Sequence, residues 1–296
     1  MNSQLSRSKA DRVFDACNRC FFAIVLLLVV YPLYFIIIAS ISDPLRVANG
    51  EVWLWPNGFN LDGYREIFSY SAIWIGYKNA FLYTAVGTMI NAALTVTGGY
   101  ALSRRDLPGR DLMMLGVVFT MFFSGGLIPL YLLVRDLGLL DSMWALILPG
   151  AVSAYYLIIV RTYFQTTIPK ELLEAAHIDG CSDFKFFLRI VVPLSLPIIA
   201  VIALFYAVMH WNAYFNAMIF INDEAKFPLQ LVLRKILILN DTGGLMSNPE
   251  GYEEQLRLSE LIKFGVIIVA SLPVLILYPL LQKYFIQGVM IGSIKG

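Results

Sequence analysis

Six long stretches of the chain contain no charged residue. They are residues 21–42, 79–103, 112–134, 142–160, 190–222 and 264–282. Each is long enough to cross a hydrocarbon core about 30 Å thick as a helix that rises about 1.5 Å per residue. Because a bilayer offers no water to bond backbone groups, a spanning segment must be helical. The pattern predicts an all-α integral membrane protein with six transmembrane helices.

Proline residues lie in or beside several of these stretches. They are Pro32, Pro129, Pro149, Pro193, Pro197, Pro273 and Pro279. Proline lacks a backbone N–H and its ring clashes with the preceding turn, so each one is expected to kink a helix. The predicted spans are therefore bent.

The composition agrees with a membrane location. Hydrophobic residues make up 58% of the 296 residues and charged residues only 15%, and the mean hydropathy is +0.70. A soluble protein this apolar could not cover its surface with polar groups. A net charge of +1, three cysteines and the lack of a basic block also exclude a disordered chain, a disulfide scaffold and a nucleic-acid binder.

Lys and Arg are most concentrated in alternate segments between the stretches. These segments are 1–20, 104–111, 161–189 and 283–296. The short loop 104–111 is the clearest, because it carries Arg104, Arg105 and Arg110 and positive charge in short loops favours the cytoplasmic side. Both termini are therefore predicted to be cytoplasmic.

The first stretch has two possible interpretations. Basic residues precede it, as in a secretory signal peptide, but its apolar core of about 21 residues exceeds the usual length of about 7–15. We predict a retained helix after a cytoplasmic segment, 1–20. Cys17 and Cys20 form a single CxxC with no second pair and no nearby histidine, so interfacial packing is expected there and no metal.

Several kinds of chemistry have no counterpart in this sequence. It contains no GxxxxGK[ST] phosphate loop, no HExxH and no GxSxG, and its two histidines are His177 and His210. We therefore expect no enzymatic activity and no cofactor on this chain. An ion-coupled secondary carrier would need intramembrane carboxylates or an inverted repeat, and neither is found. Energy for uphill transport must therefore come from a partner.

The segment 161–189 has a helical pattern of its own. A Thr at 166 or 167 can cap a helix and Pro169 suits a first turn, so a short helix is predicted over 170–179. Its predicted apolar side consists of Leu172, Leu173, Ala175, Ala176 and Ile178, and its polar side of Glu171 and Glu174. Gly180 is a natural stop because a left-handed residue costs least without a side chain. Ser182 is predicted to cap a second short helix.

A helix of about ten residues is marginal alone in water, so this one must dock onto something. It could lie on lipid headgroups as an amphipathic element. However, the loop carries four acids, which an anionic inner leaflet should repel. They are Glu171, Glu174, Asp179 and Asp183. A groove on a protein is the better fit, and a structural or assembly protein would not need such a helix.

The segment 161–189 also carries a spaced motif. It reads Glu174-Ala175-Ala176-His177-Ile178-Asp179-Gly180, followed after nine residues by Ile190-Val191-Val192-Pro193. This resembles the EAA motif of bacterial ABC importer permeases, with Cys181 and Val192 as small departures, and residues 161–189 are therefore called the coupling loop. The chain further resembles the sugar-uptake, maltose-type branch, and within it the oligo- and polysaccharide importers. That similarity rests on Phe122–Pro129, Val134–Leu139 and the tail Gly288–Gly296.

The resemblance implies a fold, partners and residue roles. It implies a type I ABC importer permease fold over residues 21–296, in the bacterial cytoplasmic membrane. A second, different permease would complete the pathway, two ATPase subunits would bind ATP and Mg²⁺, and an external binding protein or lipoprotein would deliver sugar. Glu174 would pair with a basic group of an ATPase, and Ala175 and Ala176 would allow close approach. Asp179 belongs to the same coupling set, and Gly180 would make the turn.

Sugars are held by hydrogen bonds and aromatic faces between helices. Candidate path residues are Asn91, Ser124, Tyr155, Tyr156, His210, Trp211, Asn212 and Asn216. Asn212 and Asn216 lie four apart, which on a helix is one face. Asn and His also bond helices together in bilayers, so packing remains an alternative. The outer loop 223–263 corresponds in position to one that, in maltose-type permeases, reaches toward the binding protein. A non-sugar solute is the alternative substrate.

Overall fold

A computed structural model describes residues 9–242 and 262–276, and within them the chain consists of helices and connecting loops without a strand. The longer helices are α1 (Lys9–Ser40), α3 (Asp62–Ser69), α4 (Ser71–Ser103), α5 (Arg110–Phe122), α6 (Leu127–Asp136), α8 (Ala154–Thr167), α9 (Lys170–Ile178), α12 (Leu196–Trp211), α14 (Leu229–Thr242) and α15 (Ile262–Ile276). The short ones are α2 (Pro44–Ala48), α7 (Trp144–Ile147), α10 (Asp183–Phe186), α11 (Val192–Leu194) and α13 (Phe215–Phe220). Contacts divide the chain into two units, residues 1–70 with 236–270 and residues 71–235 with 271–296.

The first unit is built around α1, which contains the first predicted span. Its apolar side chains are largely exposed along most of its length, as expected for a helix whose neighbours are lipid or other chains. Near its C-terminal end it is fixed to α3, where the Tyr64 hydroxyl donates to Ser40 Oγ over 2.9 Å. Ile67 of α3 is fully buried there. Among the described residues, the C-terminal third of α1 is tied into the unit, since the Tyr31 and Tyr34 hydroxyls also donate to the carbonyls of Trp53 and Leu54.

The second unit is organised by α4, a helix of 33 residues. It packs mainly against α12 and α8, and the coupling loop joins the same core. The core side chains come from all of these elements and include Val96, Val160, Phe164, Phe186, Val191, Ile202 and Tyr206. The coupling loop is thus packed onto the membrane helices rather than tethered loosely to them.

Three of the predicted spans are not single helices. The stretch 112–134 is divided into α5 and α6, which are bent by 115° around the break before Gly126. Gly126 has φ +83°, a backbone conformation that favours glycine and cannot continue a helix. The stretch 142–160 contains short α7, an irregular segment 148–153 that includes Pro149, and only then α8.

The stretch 190–222 is divided further. A π-helical turn, Phe187–Val191, leads into α11, and α12 then begins at an 80° bend, with Pro197 in its first turn. After Trp211 the chain leaves the helix and resumes as α13. By length and composition, two described helices, α1 and α4, can cross a membrane, and four spans result if each bent pair counts as one. The three stretches predicted to be bent are thus fully broken helices, because lack of charge indicates location in the membrane and not backbone continuity.

Candidate functional site

The start of α9 differs slightly from the prediction. Pro169 is the N-cap and Lys170 the first helical residue. No threonine caps the helix. Thr166 Oγ instead donates to the carbonyl oxygens of Thr162 and Tyr163, inside the last turn of α8. The rigid φ of proline, with no side-chain cap, sets the entry of the chain into α9.

The end of α9 is closed by a Schellman motif. Asp179 is the C-cap, and Gly180 follows with φ +72°. The Gly180 N–H donates to the carbonyl of His177 over 3.0 Å, and the Cys181 N–H donates to the carbonyl of Ala176 over 2.9 Å. These two bonds satisfy carbonyls that a helix end leaves open. The predicted helix stop at Gly180 is confirmed.

The helix α9 has two different faces. Leu172, Leu173 and Ala176 pack into the core of this chain, and Ala176 is only 7% exposed. The opposite face carries Glu171, Glu174, Ala175 and Ile178, and all four are exposed. We call these four residues the coupling surface. Its Ile178 is 87% exposed. The surface therefore combines carboxylates with an exposed aliphatic side chain.

The second short helix of the coupling loop is α10. Ser182 is its N-cap, as predicted, although its side chain makes no capping bond and its carbonyl accepts from the Phe186 N–H. Phe186 is buried in the core, whereas Phe184 is 72% exposed. The loop thus presents large apolar side chains to the outside on both of its helices.

An ionic network centred on Arg104 joins the loop that follows α4 to the coupling loop. Arg104 Nη1 lies 2.7 Å from Asp183 Oδ1, and Arg104 Nε lies 2.8 Å from Asp106 Oδ1. His177 Nε2 lies 3.2 Å from the same Asp183 oxygen. In the sequence, Arg104 served only to predict the orientation of its loop, because no local pattern links residues 79 positions apart.

The charges in this network support each other. The hydrogen bond from Arg104 lowers the pKa of Asp106 to about 2. The same guanidinium, followed by His177, lowers the pKa of Asp183. Hydrogen bonding to Asp106, and more weakly to Tyr100 and Asp183, raises the pKa of Arg104. Both carboxylates and the guanidinium are therefore ionised together.

A groove of about 680 Å³ opens beside this network. It is lined by the C-terminal end of α4, the end of α8 and the start of α9. Its polar lining includes Arg104, Arg105, Lys170 and Glu174. With Arg110 and Asp106, which also line it, the groove has four basic and two acidic side chains.

Among the predicted path residues, Asn91 and His210 are interior. Asn91 is fully buried, and its Nδ2 lies 3.1 Å from both the Gly150 carbonyl and His210 Nε2. Helices α4 and α12 approach closely here, because a Cβ on Gly87 would lie 2.5 Å from His210 Nε2. These two polar side chains hold helices together, which is the packing role left open by the sequence.

A second pair lies one helical turn away. The Thr95 and Tyr206 hydroxyls are 2.6 Å apart, and Tyr206 also accepts from the Ser153 N–H over 3.0 Å. With Asn91 and His210 they form what we call the polar ladder. It satisfies backbone groups of the irregular segment 148–153, which a membrane interior would otherwise leave unpaired. Thr95 and Tyr206 were not predicted from the sequence, although each lies four residues from a predicted path residue, Asn91 or His210.

The other predicted path residues differ in their exposure. Ser124, Tyr155, Asn212 and Asn216 are exposed. Trp211 is buried and packs against the rings of Tyr77 and Phe81. Tyr156 is partly buried beside Tyr206.

The prediction that Asn212 and Asn216 share one helical face is wrong. Asn212 is the C-cap of α12, whereas Asn216 belongs to α13 after a non-helical link. Asn212 Nδ2 donates to the Val208 carbonyl, so the side chain closes the end of its own helix.

The beginning of the predicted outer loop is firmly anchored. Asp141, at φ 57°, accepts from the backbone N–H groups of Asn222 and Asp223. These bonds lower the pKa of the Asp141 carboxyl. From α4, Asn79 Nδ2 donates to the carbonyl of Ala225. Residues 243–261 of this loop, and the tail 288–296, lie outside the described residues.

Comparison with known proteins identifies the class. A family model described as "Binding-protein-dependent transport system inner membrane component" matches residues 4–291. The chain belongs to this family. It is a multi-pass inner-membrane permease subunit of a transporter, not an enzyme, and the resemblance stated from the EAA motif is confirmed.

Individual relatives extend the match. Protein LplC of Bacillus subtilis is 44% identical over 99% of this chain and 98% of its own length. The polygalacturonan/rhamnogalacturonan transport system permease protein YtcP of the same organism is 45% identical over 97% of this chain and 99% of its own. A solved bacterial ABC transporter involved in the import of the acidic polysaccharide alginate has a chain 34% identical to this one. The two chains superpose with a TM-score of 0.84, and the match covers 94% of this chain and 99% of the other. The all-α type I permease fold is thus confirmed.

Proposed function

We propose that this chain is the permease subunit of an ATP-driven importer for oligo- or polysaccharides. The observation that carries the proposal is the coupling surface on α9, which displays Glu174 and Ile178 outward at the position of the EAA motif. The substrate class is inferred from relatives named for polygalacturonan/rhamnogalacturonan transport and alginate import.

The proposed topology has six spans and two cytoplasmic termini. Residues 1–20 form the cytoplasmic N-terminal segment and residues 21–296 the transmembrane domain. Each bent pair counts as one span: α5 with α6, and α12 with the helices before it. The concentration of Lys and Arg in alternate loops supports the orientation, because such loops remain on the cytoplasmic side.

The coupling surface is proposed to dock onto one of two ATPase subunits that bind ATP and Mg²⁺. Glu174 is exposed and would pair with a basic group of that subunit, and Ala175 beside it allows close approach. Ile178 would fill an apolar part of the same cleft. Ala176 brings α9 close to the core of its own chain, so that α9 moves with it. Asp179 and Gly180 fix the end of α9, so that the surface keeps its orientation.

The proposed path lies between this chain and a second, different permease. Ser124, Tyr155, Asn212 and Asn216 are exposed on this chain, as residues that meet sugar or partner must be. Asn91, His210 and Trp211 would support this path from behind. An external binding protein or lipoprotein would deliver the sugar, and the anchored start of the outer loop supports a contact on that side.

Reconstitution into proteoliposomes tests the function. With its partner permease, ATPases and binding protein, the chain is expected to accumulate an oligosaccharide only when ATP is hydrolysed. Vanadate, which traps the ATPase, should stop uptake, and a protonophore should not. Uptake by this chain alone, driven by an ion gradient, would instead establish the secondary carrier.

The exposed asparagines provide a test of the path. Changing Asn212→Leu together with Asn216→Leu should lower transport about tenfold or more, because two hydrogen bonds worth about 1 kcal/mol each are lost. The complex should still assemble, since both side chains are exposed. Thr97→Val, an exposed polar residue bonded to its own helix, is the control. Unchanged uptake in the double variant would show that neither residue lines the path.

A further inference from the structure

Arg104 lies directly after the last residue of α4 and has partners in both cytoplasmic loops. Its side chain is only 16% exposed although it carries a full charge. One partner, Asp106, belongs to its own loop, and the other, Asp183, is the first residue of α10 in the coupling loop. The guanidinium therefore bridges α4 to the coupling loop.

The bridge continues to the coupling helix itself. Asp183 Oδ1, which accepts from Arg104, also lies 3.2 Å from His177 Nε2 on α9. A continuous set of polar contacts thus runs from α4 through Arg104 and Asp183 to α9. The planar guanidinium, with donors on several nitrogens, serves both carboxylates at once in a fixed geometry.

Packing below the ionic network holds the same elements together. The Tyr100 ring lies 5.7 Å from the Phe164 ring of α8 and 4.9 Å from the Phe187 ring, between ring centroids. The Tyr100 hydroxyl also accepts a hydrogen bond from Arg104. Aromatic packing resists separation but has little directional preference, whereas the charged bridge fixes the register of the two loops.

The same helix α4 carries two residues of the polar ladder. Thr95 lies nine positions before Arg104, about 14 Å along a helix at 1.5 Å per residue. When α9 moves, the bridge passes this movement to the end of α4. Because α4 is a continuous helix, the movement then reaches the contacts between α4 and α12 in the membrane.

We propose that Arg104, through Asp183, is a positioning residue that makes the coupling loop and α4 move as one body. This inference rests on the proposed function, since it assumes an ATPase at the coupling surface. If the bridge is lost, the ATPase still hydrolyses ATP, but less of the resulting movement of α9 reaches the path. The bridge is thus a determinant of how many ATP molecules are consumed for each sugar moved.

The test is the ratio of ATP hydrolysed to sugar imported, measured with the complete transporter in proteoliposomes. Arg104→Gln and Asp183→Asn should each raise this ratio about fivefold, within the range by which mutations between two sites alter their coupling. The double variant should be no worse than Arg104→Gln, because both changes remove one interaction. The ratio in Arg104→Lys should lie between that of Arg104→Gln and that of the unmodified transporter.

Asp106→Asn is the matched control, because it removes the carboxylate within the loop of Arg104 and leaves the bridge to Asp183 intact. Its ratio should stay within about twofold of the unmodified transporter, below the coupling effect expected above. A normal ratio in Asp183→Asn, or the same rise in Asp106→Asn, overturns the proposal. Failure of the unmodified transporter to couple uptake to ATP overturns the proposed function instead. Complexes are compared at equal assembly, so a merely structural defect lowers yield and leaves the ratio unchanged.

Discussion

Replacing Gly180 by proline should abolish ATP-driven uptake while the protein still inserts into the membrane. Gly180 has φ +72°, which the proline ring cannot adopt, and its N–H donates to the carbonyl of His177. The change removes that bond and forces the chain to leave α9 in another direction. Because the residue has open space around it, the damage should be confined to this turn. Uptake should fall about a hundredfold, since such a proline costs about 3 kcal/mol where it does not fit.

A second turn of the same kind provides the control. Gly138, after α6, has φ +68° and donates to the carbonyl of Arg135, while the Leu139 N–H donates to Val134. Gly138→Pro therefore removes an equivalent bond on the side of the membrane proposed to be external. It should disturb the end of α6 but leave the number of ATP molecules hydrolysed per sugar unchanged. The measurement is uptake and ATP hydrolysis in the same vesicles. Normal uptake in Gly180→Pro would contradict the assignment of α9 to coupling.

Reversing the charge of Glu174 should also uncouple hydrolysis from uptake. The side chain is exposed on the coupling surface, so Glu174→Lys should not affect folding of the chain. The new lysine would face a basic group of the ATPase, and the charge pair made by Glu174 would be lost. Removal of such a pair costs about 2–5 kcal/mol at interfaces. We therefore expect ATPase binding to weaken about 30-fold or more.

Two further variants separate charge from general damage. Glu174→Gln removes the charge without reversing it and should give an intermediate loss. Glu66→Lys makes the same reversal on the exposed surface of α3 and should bind the ATPase normally. Binding of the purified ATPase to the detergent-solubilised permease pair measures all three. Equal affinity for Glu174→Lys and the unmodified chain would exclude Glu174 from the docking contact.

Local features of the site were accessible from sequence. The stop of α9 at Gly180 follows from the conformational freedom of one residue. The predicted apolar side of α9 is correct for Leu172, Leu173 and Ala176, but Ala175 and Ile178, which the prediction placed on the same side, are exposed. Which side of the helix is exposed depends on the neighbours that cover it.

Contacts between distant residues were not accessible in the same way. Asn91 and His210 were noted as polar residues in apolar stretches, but their pairing depends on the packing of α4 against α12. Tertiary packing also brings Arg104 to Asp183. It likewise accompanies the break in the helix between Asn212 and Asn216. Each arises from long-range packing, which no pattern within a few residues encodes.

The order of charged and uncharged residues is enough to predict a helical membrane protein, because a charge is costly to bury in lipid whatever the tertiary structure around it. The EAA motif is likewise enough to locate the coupling loop. Where helices break, which polar groups pair and which side of α9 is exposed follow from the folded chain. Those features depend on backbone groups that find partners only after distant segments have come together.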